Sequence, residues 1–258
     1  MNKLLNICQL KFVLPVLLAI AAFLAPEFAL AQDVGPLNIN VDEDLLSSRR
    51  LFQIIILMTV LSLAPSIMVM ITSFTRIVIV FSFTRSALGL QNSPPNSVLV
   101  SLALFLTFFI MQPALEQAYA NGITPYLDEQ IDESEAFDLT MAPFKDFMYN
   151  NVGDEDLGLF INMMPADEAP KEIKTVEDVP LRALIPAFMI SEIKRAFEIG
   201  FLIFLPFLVI DLTVASILMS MGMMMLPPVI VSLPFKIIFF VLVDGWHLLV
   251  GSLVESFK

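Results

Sequence analysis

With 258 residues, 57% of them hydrophobic and only 16% charged, the chain is too apolar for an ordinary soluble domain and falls in the membrane class. Its formal net charge of -12 disfavours nucleic acid as a partner, because phosphate is repelled. The acidity is concentrated in residues 114–180, where 16 Asp and Glu face three lysines, Lys145, Lys171 and Lys174; the rest of the chain is close to neutral.

Residues 1–31 predict a cleavable secretory signal. Lys3 and Lys11 supply a basic start, residues 12–24 (FVLPVLLAIAAFL) an apolar core, and Ala29-Leu30-Ala31 an A-x-A cleavage site. That core is short for a spanning helix, which needs roughly 20 apolar residues. The single cysteine, Cys8, lies inside the signal, so a mature chain starting near Gln32 has no thiol for disulfides, nucleophilic catalysis or metal binding.

Residues 32–113 predict an N-terminal hydrophobic helical pair. The first span is residues 51–71, with Pro65 as an expected kink. Arg76 and Arg85 flank the next apolar stretch, Pro94-Pro95 break the chain, and a second span over residues 98–110 ends before Pro113. A signal peptide puts the Arg76 and Arg85 connection in the cytoplasm, as the positive-inside tendency asks, although Arg49 and Arg50 then sit on the opposite side.

The acidic segment, residues 114–180, is then periplasmic. It is too rich in aromatics for a disordered acidic tract, and Phe144, Phe147 and Met148 recur at helical spacing. This predicts a small ordered helical subdomain with flexible flanks and a solvated acidic face. The carboxylates show no calcium-loop spacing, and neither metal nor cofactor is expected.

Residues 181–258 predict a C-terminal hydrophobic hairpin of two spans joined near Asp211. Residues 186–201 (PAFMISEIKRAFEIGF) read as a helix opened by Pro186, with Lys194, Arg195 and Glu198 on one face. Lys236 is the lone cation of PFKIIFFVLVDGW, and an unpaired ammonium at membrane depth costs about 3 kcal/mol. It needs an acid, and the expected buried pair is Glu192 with Lys236, within a subunit or across a boundary. Arg76, Arg85, Lys194, Arg195, Glu198, Asp211 and Asp244 are further candidates for burial. Such charges also leave open an ion-coupled transporter, although no internal repeat supports alternating access. His247 beside Trp246 reads as a packing or interfacial residue. No G-x-S-x-G, P-loop or H-E-x-x-H string occurs, and the chain offers no catalytic constellation.

The run MSMGMMMLPPVIV contains Met223, Met224 and Met225. These residues suit either gap-filling and lipid-facing roles or a soft ring that closes an aperture between subunits, because an unbranched thioether deforms easily. Gly222 and Pro227-Pro228 predict a bend or loop there.

The strings TSFTRIVIVFSFTRSALGLQNSPPN, LALFLTFFIMQP, PAFMISEIKRAFEIGF and PFKIIFFVLVDGW, in this order along the chain, closely resemble the FliP family of type III export-gate proteins. The resemblance covers about residues 51–246 and is weakest in the acidic segment. It implies a homo-oligomer, pentameric by resemblance, that joins FliQ and FliR, with FlhB and FlhA nearby, in the flagellar basal body at the bacterial inner membrane. It implies passage of unfolded flagellar subunits, with Met223, Met224 and Met225 as the constriction. The expected fold is all-α: integral membrane-type helical hairpins, with about four long proline-broken hydrophobic segments and the small acidic periplasmic subdomain.

Overall fold

A computed structural model describes residues 48–165, 170, 175–223 and 225–257. The expected signal at residues 1–31, with Cys8, lies outside these residues, as does Met224. The chain divides into two units, Met1–Leu57 and Met58–Lys258. Of the first, residues 48–57 are described and form the opening of helix α1 (Ser48–Met70).

The elements that follow are all helical. They are α2 (Phe74–Ala87), α3 (Asn96–Ala118), a π-helical turn (Tyr119–Ile123), α4 (Thr124–Leu127), α5 (Glu133–Asn151) and α6 (Asp154–Asn162). After a 3-10 turn (Val176–Asp178) come α7 (Leu181–Ser220), α8 (Pro228–Leu242) and α9 (Gly245–Glu255).

Prolines break these helices at few places. Pro65, Pro113, Pro186, Pro206 and Pro234 all lie within helices. A proline removes one i to i-4 bond, and packing by neighbouring helices in apolar surroundings holds the rest of the ladder. The second span therefore runs on past Pro113, and α7 starts at Leu181, after Pro180, and not at Pro186. Nor does α7 turn near Asp211, which sits inside one 40-residue helix. The carboxylate is tolerated there because it has partners on α8, and the turn comes only after Ser220.

Two of the stops share one device. At the end of α2, Gly89 has φ +78°, its N–H bonds Ser86 O at 3.0 Å, and the Leu90 N–H bonds Arg85 O at 3.1 Å. At the end of α7, Gly222 has φ +75°, its N–H bonds Met219 O at 3.1 Å, and the Met223 N–H bonds Leu218 O at 3.0 Å. Both are Schellman stops, in which a left-handed glycine satisfies the last carbonyls. Pro228 then starts α8 at a position where its missing N–H costs nothing.

Charge placement explains part of the acidic segment. Asp132 caps α5 by accepting from the Glu135 N–H at 2.8 Å, with Glu133 and Glu135 in the first turn. Asp154, Glu155 and Asp156 occupy the first turn of α6, where the helix dipole favours anions. The expected Phe144 and Met148 are buried, and Phe147 packs beside them. They share a core with Met111, Ala118, Leu184 and Phe188, so α5 and α6 are built directly onto the ends of α3 and α7. The Ser191 hydroxyl fixes α6 further, accepting from the Gly153 N–H at 2.9 Å and donating to Asp156 at 2.6 Å.

A second core joins α2, α3, α7 and α9 through Ile77, Phe81, Leu99, Ala103, Ala196, Leu249 and Leu253. Gly200 lets α2 approach α7 closely, since a Cβ there would lie 2.8 Å from Cγ of Phe83. The Phe83 ring meets Phe197 edge-on at 5.0 Å.

Among the described residues, two helical stretches are long and apolar enough to cross a membrane. They are Asn96–Leu127, with mean hydropathy 2.2, and Leu181–Ser220, with 2.5. The number rises to four if the bent pairs Ile54–Met70 with Phe74–Ala87 and Pro228–Leu242 with Gly245–Glu255 each form one span. Only 11% of the most apolar window of Leu181–Ser220 is buried within the chain. Phe201, Leu202, Val209 and Leu212 stand exposed along it, a surface that lipid or other protein must cover.

Candidate functional site

Three features carry the chemistry of the chain: two ion pairs between helices, and the methionine loop between α7 and α8. Arg76 of α2 is 1% exposed and Glu192 of α7 is fully buried. Arg76 Nε donates to Glu192 Oε2 at 2.9 Å and Nη2 donates to Oε1, a bidentate fork. The remaining arm, Nη1, donates to the carbonyl and the hydroxyl of Ser256 at 3.0 and 2.9 Å. Phe257 lies against the guanidinium face, 3.6 Å from Cζ to ring centroid.

The second pair joins Lys236 of α8 to Asp211 of α7 at 2.7 Å. Asp211 also accepts from the Ser232 hydroxyl at 2.5 Å, and Lys236 donates to the Ala87 carbonyl at the end of α2 at 3.2 Å. Lys236 therefore ties three helices together, and α8 folds back along α7.

These contacts correct the expected pair. Within the chain, Glu192 and Lys236 do not bind one another: Glu192 takes Arg76 and Lys236 takes Asp211. The reason is topological, because α2 packs along α7 and brings a bidentate cation to Glu192, whereas the α7–α8 hairpin brings Asp211 to Lys236. Asp211 and Lys236 lie almost equally far on either side of Met224, a hairpin register that could have revealed the second pair. No comparable sequence signal paired Arg76 with Glu192 or singled out Ser256 or Phe257.

The other charges are less buried than expected. Lys194, Glu198 and Asp244 are exposed on this chain, and Arg85, Arg195 and Asp211 are half-buried. Only one face of α7 packs inward, and it carries Ser191, Glu192, Ala196 and Gly200. Arg85 instead closes the α2–α3 connection, donating to Asn96 Oδ1 at 2.6 Å and Pro94 O at 3.2 Å. Asp244 is a corner residue with φ 50° between α8 and α9, which bend by 62°. His247 is exposed.

The expected loop lies between the Schellman stop of α7 and the Pro228 start of α8. Its methionines are not core: Met221 is 61% exposed, Met223 40% and Met225 98%. Among the described residues, nothing covers Met225.

The architecture is that of an all-helical membrane-type protein whose internal charges bind one another and whose apolar outer faces and methionine loop await cover. The particular family follows from sequence comparison: the chain belongs to the FliP family, whose profile matches residues 57–253. It is 55% identical over 246 residues to the flagellar biosynthetic protein FliP of Caulobacter vibrioides, an alignment covering 95% of this chain and 90% of that protein. It is 54% identical over 205 residues to the FliP of Bacillus subtilis (80% and 91% covered). With the FliP of Aquifex aeolicus it shares 47% over 227 residues (87% and 92% covered).

Proposed function

We propose that this chain is a core subunit of the flagellar type III protein export gate, set in the bacterial inner membrane with its acidic segment on the periplasmic side. Several copies, five by resemblance, assemble with FliQ and FliR, near FlhB and FlhA, around a pore for unfolded flagellar subunits. Family membership supports the setting, since relatives across most of the chain are named flagellar biosynthetic proteins.

The observation that carries the pore reading is the methionine loop. An export pore passes an extended chain of any sequence while holding back ions, so its seal must be apolar and deformable, and hydrophobic constrictions also gate by dewetting. Methionine meets both demands better than branched leucine or isoleucine. The loop is held between a glycine stop and a proline start, and Met221, Met223 and Met225 stand exposed on it. Met223, Met224 and Met225 from each copy form the seal.

The ion pairs favour this over solute transport, because Arg76, Glu192, Asp211 and Lys236 are engaged with one another between helices. Their role is to fix the hairpins that carry the loop. Replacing Met223, Met224 and Met225 by alanine in assembled gates is expected to raise small-solute leakage; unchanged conductance would refute the seal.

A further inference from the structure

The methionines of this chain fall into contrasting sets. Met111 and Met148 are buried in the core with Phe144, Leu184 and Phe188. Around the α7–α8 loop the reverse holds, for Met219, Met221, Met223 and Met225 are all exposed, Met225 most of all. The space beside them is open: a Cβ added at Gly222 would meet nothing within 4 Å. The loop takes its shape from its backbone, through the Met223 N–H on Leu218 O at 3.0 Å and the Leu226 N–H on Met223 O at 3.4 Å. These bonds run between main-chain atoms, so a chemical change at a sulfur leaves them in place.

We propose that the loop is a methionine oxidation site at which peroxide opens the seal, an inference that rests on the seal reading and extends it. The thioether sulfur attacks one peroxide oxygen, the O–O bond breaks, that oxygen stays on sulfur as a sulfoxide, and the other leaves as water. Sulfur gives up the two electrons that peroxide gains. A soft apolar side chain thereby becomes polar. A hydrophobic constriction holds by dewetting, and S–O dipoles on the loop of every copy would retain water in it. Exposure sets the order of attack, with the loop first and Met111 and Met148 last. The single cysteine, Cys8, lies in the expected signal, so thioethers are the oxidisable sulfurs of the described residues. The change is reversible: a methionine sulfoxide reductase removes the oxygen as water while two of its thiols become a disulfide.

Gates carrying the full chain with FliQ and FliR, reconstituted in vesicles that hold a small dye, test this with hydrogen peroxide. Peptide mass spectrometry should find sulfoxide at Met223 and Met225 before Met111 and Met148. Dye leakage should rise at least about tenfold and fall back after treatment with methionine sulfoxide reductase. In a Met223→Leu/Met224→Leu/Met225→Leu variant, leakage with and without peroxide should differ by less than about twofold, whatever its starting level. That variant keeps the exposed Met58 and Met163, so an equal peroxide response in it would overturn the proposal by placing the effect outside the seal. Loop sulfoxide without added leakage, or oxidation of Met111 and Met148 ahead of the loop, would also overturn it. If peroxide changes nothing while the alanine variant of the loop leaks, the oxidation site fails and the seal stands. An alanine variant that does not leak removes both.

Discussion

Replacing Glu192 by alanine is the sharpest perturbation of this fold. It removes both acceptors of the Arg76 fork and leaves Nε and Nη2 of a 1% exposed guanidinium without partners, while Nη1 stays on Ser256. A hydrogen bond to a charged group contributes about 1.5–3 kcal/mol, so losing two costs roughly 3–6 kcal/mol. Removing one member of a buried pair costs about 3–5 kcal/mol by a separate route, and the two ranges meet near 4. The companion variant Arg76→Met/Glu192→Leu removes both charges and keeps apolar bulk, so it should fall within about 1–2 kcal/mol of the parent. Ser256, being exposed, can find other donors there. Unfolding in mixed detergent micelles, followed by circular dichroism, compares the three proteins. A loss below about 1 kcal/mol for Glu192→Ala, or a double variant as weak as the single, would refute the reasoning.

Lys236→Ala should cost less, about 1–2 kcal/mol, because Asp211 is 28% exposed and keeps its Ser232 hydrogen bond. The same titration checks it, and a loss equal to that of Glu192→Ala would contradict the ranking. Two glycines should respond in opposite directions. Gly122→Ala sets a Cβ 2.8 Å from the Thr140 backbone nitrogen and should destabilise by at least about 1–3 kcal/mol, whereas Gly158→Ala in α6 meets nothing within 4 Å and should gain about 0.5–1 kcal/mol. Their melting temperatures, measured side by side, check the pair.

Much of this architecture was legible in the chain. The spacing of Phe144, Phe147 and Met148 reports a helix that buries one face, and Gly222 with Pro227-Pro228 marks the loop between α7 and α8. Interior prolines were misleading because apolar packing carries a helix across one missing bond, as at Pro113 and Pro186. Asp211 read as a helix end because a carboxylate in an apolar run looks like a boundary, whereas Lys236 and Ser232 hold it in place mid-helix. Glu192 shows the general limit. Spacing along α7 gives the face it occupies but not its neighbour, and Arg76 lies 116 residues away. Ser256 and Phe257 were the least visible of all, since they meet Arg76 through one carbonyl, one hydroxyl and one ring that no motif marks.

Native mass spectrometry of the detergent-purified protein, expressed with and without FliQ and FliR, tests the export-gate account most directly. The account predicts a discrete homo-oligomer whose mass increases by whole copies of FliQ and FliR when they are present. A stable monomer that takes up neither protein would contradict it.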